Sequence, residues 1–347
     1  MSKRYACALY LGFLTLPALA QTVAQTGAQP EPAPAVESAA EAASDAVPAT
    51  VVVEGRRPGP GVWKVSKDEH VMWVFGLYSP LPQKMEWDSA RVERLVAKSQ
   101  EVLARPGARM EVGFFRGLTL LPTAIGIDKN PDGATLRDVL PADVYARWQV
   151  LKGKYIGEDD SIERRRPLFV ADTLLSAGMS KSGLTQNTGV EEQIEKTARH
   201  NKVKVTPTTF SIEVDDPRGM MKAFKKSQVE DVACFTKTLE RLEGDIDAMR
   251  VRANAWANGN IAEISSLGYA ERDKACNDAI FNSQFARHSP AFQHLPERIR
   301  ANWMKAAEKS LADNTSTFAI LPMKDIVGPA SYLADLQAKG YTVESPK

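Results

Sequence analysis

Apolar positions after residue 60 follow strand-like and helix-like periods. Two short apolar or alternating runs, 62–66 and 71–75, flank a polar segment and predict a β-hairpin. The most regular helical pattern covers 229–257, where apolar residues recur three and four apart: Val232, Leu239, Leu242, Ile246, Met249, Ala253 and Trp256. The other predicted helices are 89–104, 114–127, 141–152, 162–177, 190–200, 269–287, 295–313 and 329–339, and the other predicted strands are 203–205, 317–321 and 341–344. The pattern therefore predicts an α/β (mixed α+β) fold, with a small sheet and many helices.

The first sixty residues have the pattern of an export signal followed by a tether. Lys3 and Arg4 precede an apolar run at 6–16, and a small-x-small cleavage site ends at Ala20. We expect residues 1–20 to be a signal peptide cleaved after Ala20, with an uncleaved anchor as the alternative. Residues 21–60 contain ten Ala, six Pro and no aromatic residue, which predicts a disordered tether. The folded domain is then 61–347, in a protein that is periplasmic or secreted and not integral to the membrane.

Charge and composition exclude several classes of protein. The chain of 347 residues has 44 Lys+Arg and 43 Asp+Glu, a formal net charge of +1, and removal of Lys3 and Arg4 with the signal peptide changes it to −1. Because this charge is balanced, we expect no nucleic-acid partner. Only four His are present, which leaves little material for a His-rich metal site. The sequence also lacks a zincin motif, a phosphate-cradling glycine loop and a Gly-x-Ser-x-Gly elbow.

Two cysteines, Cys234 and Cys276, remain once the signal peptide is removed. They lie on successive predicted helices, and an exported protein meets an oxidising compartment. A disulfide between them would close a loop of about 40 residues. The alternative is a pair of buried free thiols that lie too far apart to bridge.

Both ends of the predicted domain carry recognisable segments. The first strand contains the pair Trp63-Lys64, and the second runs into the turn 76–82, which reads Gly-Leu-Tyr-Ser-Pro-Leu-Pro. The last segments are the strand 316–321, a closing helix and the strand that begins Lys339-Gly340-Tyr341. In this order they resemble the TraB/GumN family, over about residues 61–346. That family is distantly similar to the Tiki proteins, which act as metal-dependent proteases.

The resemblance implies a TraB/Tiki-like fold, with a central mixed sheet surrounded by helices and two Gly-x-x-His motifs that converge from distant parts of the chain. Two imidazoles and a Glu after the first long helix would hold a divalent metal that activates water. This sequence departs from that pattern. Ser79 stands where the first His would be, the second motif reads Pro-Met-Lys-Asp at 322–325, and the strand after the first helix leads to Arg105 instead of Glu. We therefore expect no cofactor, and a divalent metal only if the site has been rebuilt.

Two functions from different classes follow. The first is a degenerate, non-catalytic member of the family that binds an unknown protein, peptide or small ligand in the former active-site cleft, through Gly76, Tyr78 and Lys324. The second is a peptidase-like hydrolase that uses Ser79 and Asp325, with Lys324 as a possible base. The bland alternatives are that Ser79 is a turn residue and that Asp325 is a helix N-cap. A purely structural envelope protein is a third option.

Overall fold

The computed structural model describes residues 59–111, 120, 122–214, 216–226, 231–266, 271–281, 284–287, 290, 292–328 and 330–346. They belong to one compact unit, Glu54–Lys347. The predicted signal peptide, nearly all of the predicted tether and most of the predicted helix 114–127 lie outside the described residues. Within them, no helix combines the length and the apolar character that crossing a membrane requires.

A six-stranded mixed sheet forms the centre of the fold, in the order β10-β1-β2-β9-β4-β7. The strands along the chain are β1 Val62–Lys67, β2 His70–Leu77, β3 Leu81–Pro82, β4 Glu101–Leu103, β5 Gly107–Glu111, β6 Leu184–Thr185, β7 Lys204–Thr206, β8 Thr209–Glu213, β9 Ser316–Pro322 and β10 Thr342–Glu344. The predicted hairpin is confirmed, since β1 and β2 pair antiparallel from Lys67↔His70 onward. Strands β2, β9, β4 and β7 run parallel to one another, so their carboxyl ends share one edge of the sheet.

Helices supply most of the rest of the fold. They are α1 Ala90–Lys98, α2 Leu136–Val139, α3 Ala142–Tyr155, α4 Pro167–Lys181, α5 Val190–His200, α6 Pro217–Lys226, α7 Val232–Gly244, α8 Ile246–Ala257, α9 Ile261–Ser266, α10 Glu271–Phe281, α11 Gln284–Arg287, α12 Leu295–Asp313, α13 Met323–Val327 and α14 Tyr332–Ala338. Two short 3₁₀ turns lie at Pro131–Gly133 and Asp160–Arg164. The mixed α/β fold with a central mixed sheet is confirmed, and α5 and α12 have the predicted bounds.

Three predicted helices are wrong in extent. The helix predicted over 89–104 ends at Lys98, because the next apolar residues form strand β4, which is paired on both sides and buried. The long helix predicted over 229–257 is two helices, since α7 ends at Gly244 and α8 starts after Asp245, two residues with weak helix preference. The helix predicted over 162–177 starts at Pro167, because proline suits the first turn of a helix and not its interior.

The described side chains form two hydrophobic cores. One surrounds the central sheet and includes strands β2 and β9 together with parts of α1, α5, α8 and α12. The other is helical and lies between α2, α3, α4, α7 and α10. Cys234 of α7 and Cys276 of α10 form a disulfide in this helical core, with 4.4 Å between their Cα atoms. The predicted pairing of the two cysteines is therefore present.

Candidate functional site

A cavity of about 580 Å³ opens at the carboxyl edge of the parallel strands. Open α/β sheets place ligands at this edge, outside the ends of the strands. Strand β2 brings Leu77 and Ser79 to the cavity, strand β4 brings Arg105, and the segment from β6 into α5 forms the opposite wall. That wall consists of Gln186, Asn187, Thr188, Gly189, Glu191, Glu192 and Glu195.

Hydroxyl groups fix the loop that forms the cavity wall. The Thr185 hydroxyl accepts a hydrogen bond from the backbone N–H of Asn187 (3.1 Å), and the Thr188 hydroxyl accepts one from Val190 N–H (3.4 Å). Gly189 precedes α5 with φ of 68°, a left-handed conformation that glycine adopts without strain. The Ser79 hydroxyl donates a hydrogen bond to the carbonyl oxygen of Gln186, at 3.3 Å, and both residues line the cavity. This contact links the end of β2 to the loop before α5.

The charged side chains of the cavity give it a net negative lining. Arg105 Nε lies 3.0 Å from an oxygen of Glu191, and both side chains remain partly exposed. Glu195 pairs with Arg199, one turn further along α5, at 3.1 Å. Three Glu against Arg105 give the cavity lining a net charge of −2. Carboxylates in the first turn of α5 also interact favourably with the positive end of the helix dipole.

Gly76 and Tyr78 are buried and alternate along the chain with Leu77 and Ser79, which line the cavity. Gly76 is packed so closely that a Cβ there would lie 2.6 Å from Met323 Cε and 3.0 Å from Trp63 Cζ3. Burial raises the pKa of Tyr78 above its usual value, and the nearby guanidinium of Arg252 only partly opposes that effect. Neither residue is part of the cavity lining, so the structure places both as packing partners of the sheet.

Asp325 and Lys324 lie in α13, beyond the end of β9. The register Gly76↔Leu321 in the parallel pair brings the two motif positions to the same sheet edge. However, Asp325 is absent from the cavity lining; its carboxylate lies 3.7 Å from Lys324 Nζ. Burial raises the pKa of Asp325, and the charges of Lys324 and Arg300 partly offset this shift. Asp325 also sits in the first turn of the helix and not at its N-cap, which is Pro322.

Comparison with known protein families identifies the family of this chain. Residues 61–345 match the TraB/PrgY/gumN family. The chain belongs to that family. No curated protein and no solved structure matches it.

The residues at the site do not fit the metal centre that the similarity to Tiki proteins implies for TraB-type chains. Ser79 offers a neutral hydroxyl, which is a poor ligand for a transition metal, and Arg105 repels a cation. In the part of the chain that the structure describes, no group of three or more His, Cys, Asp or Glu could hold a metal ion.

The sequence pointed to two of the residues that line the cavity of this TraB-type domain, Ser79 and Arg105, as departures from the expected metal-site pattern, and it missed the others. Periodicity predicted a helix over 89–104, up to the residue before Arg105, so only the family resemblance indicated that Arg105 follows a strand. Two of the three Glu of α5, Glu191 and Glu192, were visible as an acidic first turn after a glycine, which is a common feature of helix starts. These segments meet because β9 pairs with β2 on one side and with β4 on the other, all in parallel. The apolar period of the sequence does not predict this pairing.

Proposed function

We propose that this TraB/GumN-family chain is an exported, non-catalytic protein that binds a ligand in the cavity between the end of β2, the end of β4 and α5. One observation carries the proposal. The cavity lies at the carboxyl edge where the family's motifs converge, while Ser79, Asp325 and Arg105 replace the groups that would hold a metal. The cavity is present although the side chains expected to ligate a metal are replaced, and this combination supports ligand binding instead of metal-assisted hydrolysis.

Export is supported by the N-terminal sequence and by the disulfide. The pattern at 1–20 is typical of a cleaved signal peptide. The Cys234–Cys276 bond fits an oxidising compartment, where structural disulfides persist. The protein is then periplasmic or secreted.

The lining charge favours a ligand that carries a positive group. Glu191 and Glu195 already have cationic partners, whereas the exposed Glu192 carboxylate has no ion pair among the described residues. A ligand amine could satisfy Glu192, while the polar loop 186–189 supplies hydrogen-bonding groups at the wall. Leu77 adds an apolar contact at the base of the same cavity. Proteins, peptides and small molecules that present an amine all meet this requirement.

Two measurements test the proposal. Elemental analysis of the purified protein should find metal far below one equivalent, and a stoichiometric zinc, manganese or cobalt ion would overturn the non-catalytic assignment. Calorimetric titration with spermidine, used as a polyamine probe, should show binding that weakens in Glu192→Gln. The matched control is Glu297→Gln, an exposed carboxylate of α12 outside the cavity, which should bind like the wild type. Equal spermidine affinity in all three proteins would contradict the proposed binding site.

A hydrolase remains the second candidate, because the Ser79 hydroxyl lies at the cavity. Its weakness is the base: the cavity lining contains no His, and Asp325 and Lys324 are not part of it. Peptidase and esterase assays with Ser79→Ala separate the two functions. Loss of a measurable wild-type activity in this variant would favour the hydrolase, and activity that is absent or unchanged would remove it.

A further inference from the structure

The helix α6, Pro217–Lys226, carries a stripe of cations along one face. Arg218, Lys222, Lys225 and Lys226 are spaced three and four residues apart, which places them on one side of the helix. The helix itself contains no Asp or Glu, and the nearest carboxylate in sequence, Asp216, accepts a hydrogen bond from Gly219 N–H at its start. Like charges at this spacing destabilise a helix. An anionic surface facing this side of α6 would reduce the repulsion between the cations and so stabilise the helix.

The opposite face of α6 fixes which way the cations point. Phe224 packs edge-on against Phe169, with 6.3 Å between ring centroids, and the guanidinium of Arg166 lies 4.8 Å from its ring centre. These contacts seat the apolar side of α6 on the helical part of the domain. As a result, Lys222 and Lys226 are exposed to solvent.

An exposed apolar side chain lies directly beside this stripe. Lys225 Nζ donates a hydrogen bond to the backbone carbonyl oxygen of Ile125 (2.5 Å). Ile125 is 75% exposed, more than any other large hydrophobic residue among those described. Lys129, also exposed, follows four residues after Ile125, and its Cδ lies 3.8 Å from where a Cβ on Gly126 would be. We call Ile125, Lys129, Lys222, Lys225 and Lys226 the Ile125 patch.

We propose that the Ile125 patch docks the protein onto the surface of a membrane rich in anionic phospholipid. Headgroup phosphates satisfy the lysines, and Ile125 enters the boundary between the headgroups and the acyl chains. An acidic protein would also meet the lysines; an anionic membrane is favoured because it offers phosphates for the lysines and an apolar phase for the exposed isoleucine beside them. Because the apolar face of α6 is already packed, the association is peripheral.

Vesicle binding tests this docking surface directly. The full chain is mixed with phosphatidylcholine vesicles that contain or lack phosphatidylglycerol, and the bound fraction is measured by co-sedimentation at low and high salt. We expect binding that requires phosphatidylglycerol and falls as salt rises, because screening weakens exposed charge interactions. Lack of binding to the anionic vesicles at low salt, or equal binding to both vesicle types, would overturn the proposal.

Matched variants localise the effect to the patch. Lys222→Gln/Lys226→Gln should weaken binding about 30-fold, since each basic residue near an anionic surface contributes a factor of about five to six in affinity and two are removed. Ile125→Ser should weaken binding severalfold without changing the salt dependence. Lys84→Gln/Lys305→Gln removes two exposed lysines elsewhere and should bind like the wild type. Equal losses in the two double variants would show that overall charge and not the patch is responsible, and would contradict the proposal.

Discussion

The indole nitrogen of Trp256 lies 2.7 Å from the carbonyl oxygen of Gly76 and donates a hydrogen bond to it. Both residues are buried, so the bond satisfies a donor and an acceptor that would otherwise lose their water partners. It ties α8 to the end of strand β2, just before the chain reaches the cavity. Met323, the first residue of α13, covers the other side of Gly76. The glycine of the first motif therefore has a packing role in this chain that does not depend on a metal.

We predict that Gly76→Ala destabilises the protein by about 1–3 kcal/mol, because the added methyl group overpacks a filled core. The matched substitution is Gly153→Ala in α3, where a Cβ meets nothing within 4 Å. Alanine in that exposed helical position should stabilise the protein by about 0.5–1 kcal/mol. Urea unfolding of both variants gives the two free energies. Equal effects of the two substitutions, in sign and size, would contradict the close packing at Gly76.

Local patterns located helices with a regular apolar period and the β1–β2 hairpin, but they missed the short strand β4. Helix α12 follows directly from its apolar period, and the β1–β2 hairpin from its alternation and turn. Strand β4 has three residues, too few for a period, and its identity depends on neighbours more than a hundred residues away in sequence. The lining of the cavity is hard to predict for the same reason, since Arg105 reaches the cavity only because β4 is a strand. Sequence resemblance located Ser79, but it could not show that Asp325 lies outside the cavity lining.

Glu101 begins strand β4 at the amino edge of the parallel strands, opposite to the cavity. Its carboxylate accepts hydrogen bonds from Ser310 (2.5 Å), Lys204 (2.9 Å), Asn314 (3.0 Å) and the Thr206 hydroxyl. Burial by itself would raise the pKa of Glu101, but the hydrogen bonds and the charge of Lys204 outweigh it and lower the pKa to about 2. The carboxylate thus joins α12 to strands β4 and β7.

This network predicts a pH dependence of stability. The pKa of Glu101 is lower in the folded protein than its ordinary value of 4.5, so between these values the unfolded chain binds more protons and stability rises with pH. The contribution, about 3 kcal/mol, should be complete above pH 4.5 and lost as pH falls towards 2. Chemical denaturation at several pH values gives the free energy of unfolding as a function of pH. Below pH 4.5 this free energy should fall less steeply for Glu101→Gln than for the wild type. Glu297→Gln, an exposed control, should keep the wild-type slope; identical profiles for all three proteins would contradict the prediction.

The disulfide should stabilise the helical core. It joins positions 42 residues apart, which corresponds to about 4 kcal/mol in the chain-entropy account of a crosslinked unfolded state. We predict that Cys234→Ala/Cys276→Ala unfolds at lower guanidinium concentration. The wild type with a reductant present throughout unfolding should shift in the same direction, whereas the double variant should not respond to reductant. A wild-type midpoint that is insensitive to reductant would indicate that the bond contributes nothing to stability.

The ion pair between Arg105 and Glu191 should limit the affinity of the cavity for cations. Arg105 neutralises one of the three carboxylates, so Arg105→Gln changes the charge of the lining from −2 to −3 and frees Glu191 for a ligand. Because Arg105 is more than half exposed, solvent screens the pair, and its removal should raise spermidine affinity by at most about fivefold. Calorimetric titration measures the change, and Arg287→Gln, which removes an exposed arginine away from the cavity lining, controls for net charge. Weaker spermidine binding in Arg105→Gln would show that the arginine itself contacts the ligand, and the cationic preference would then have to be abandoned.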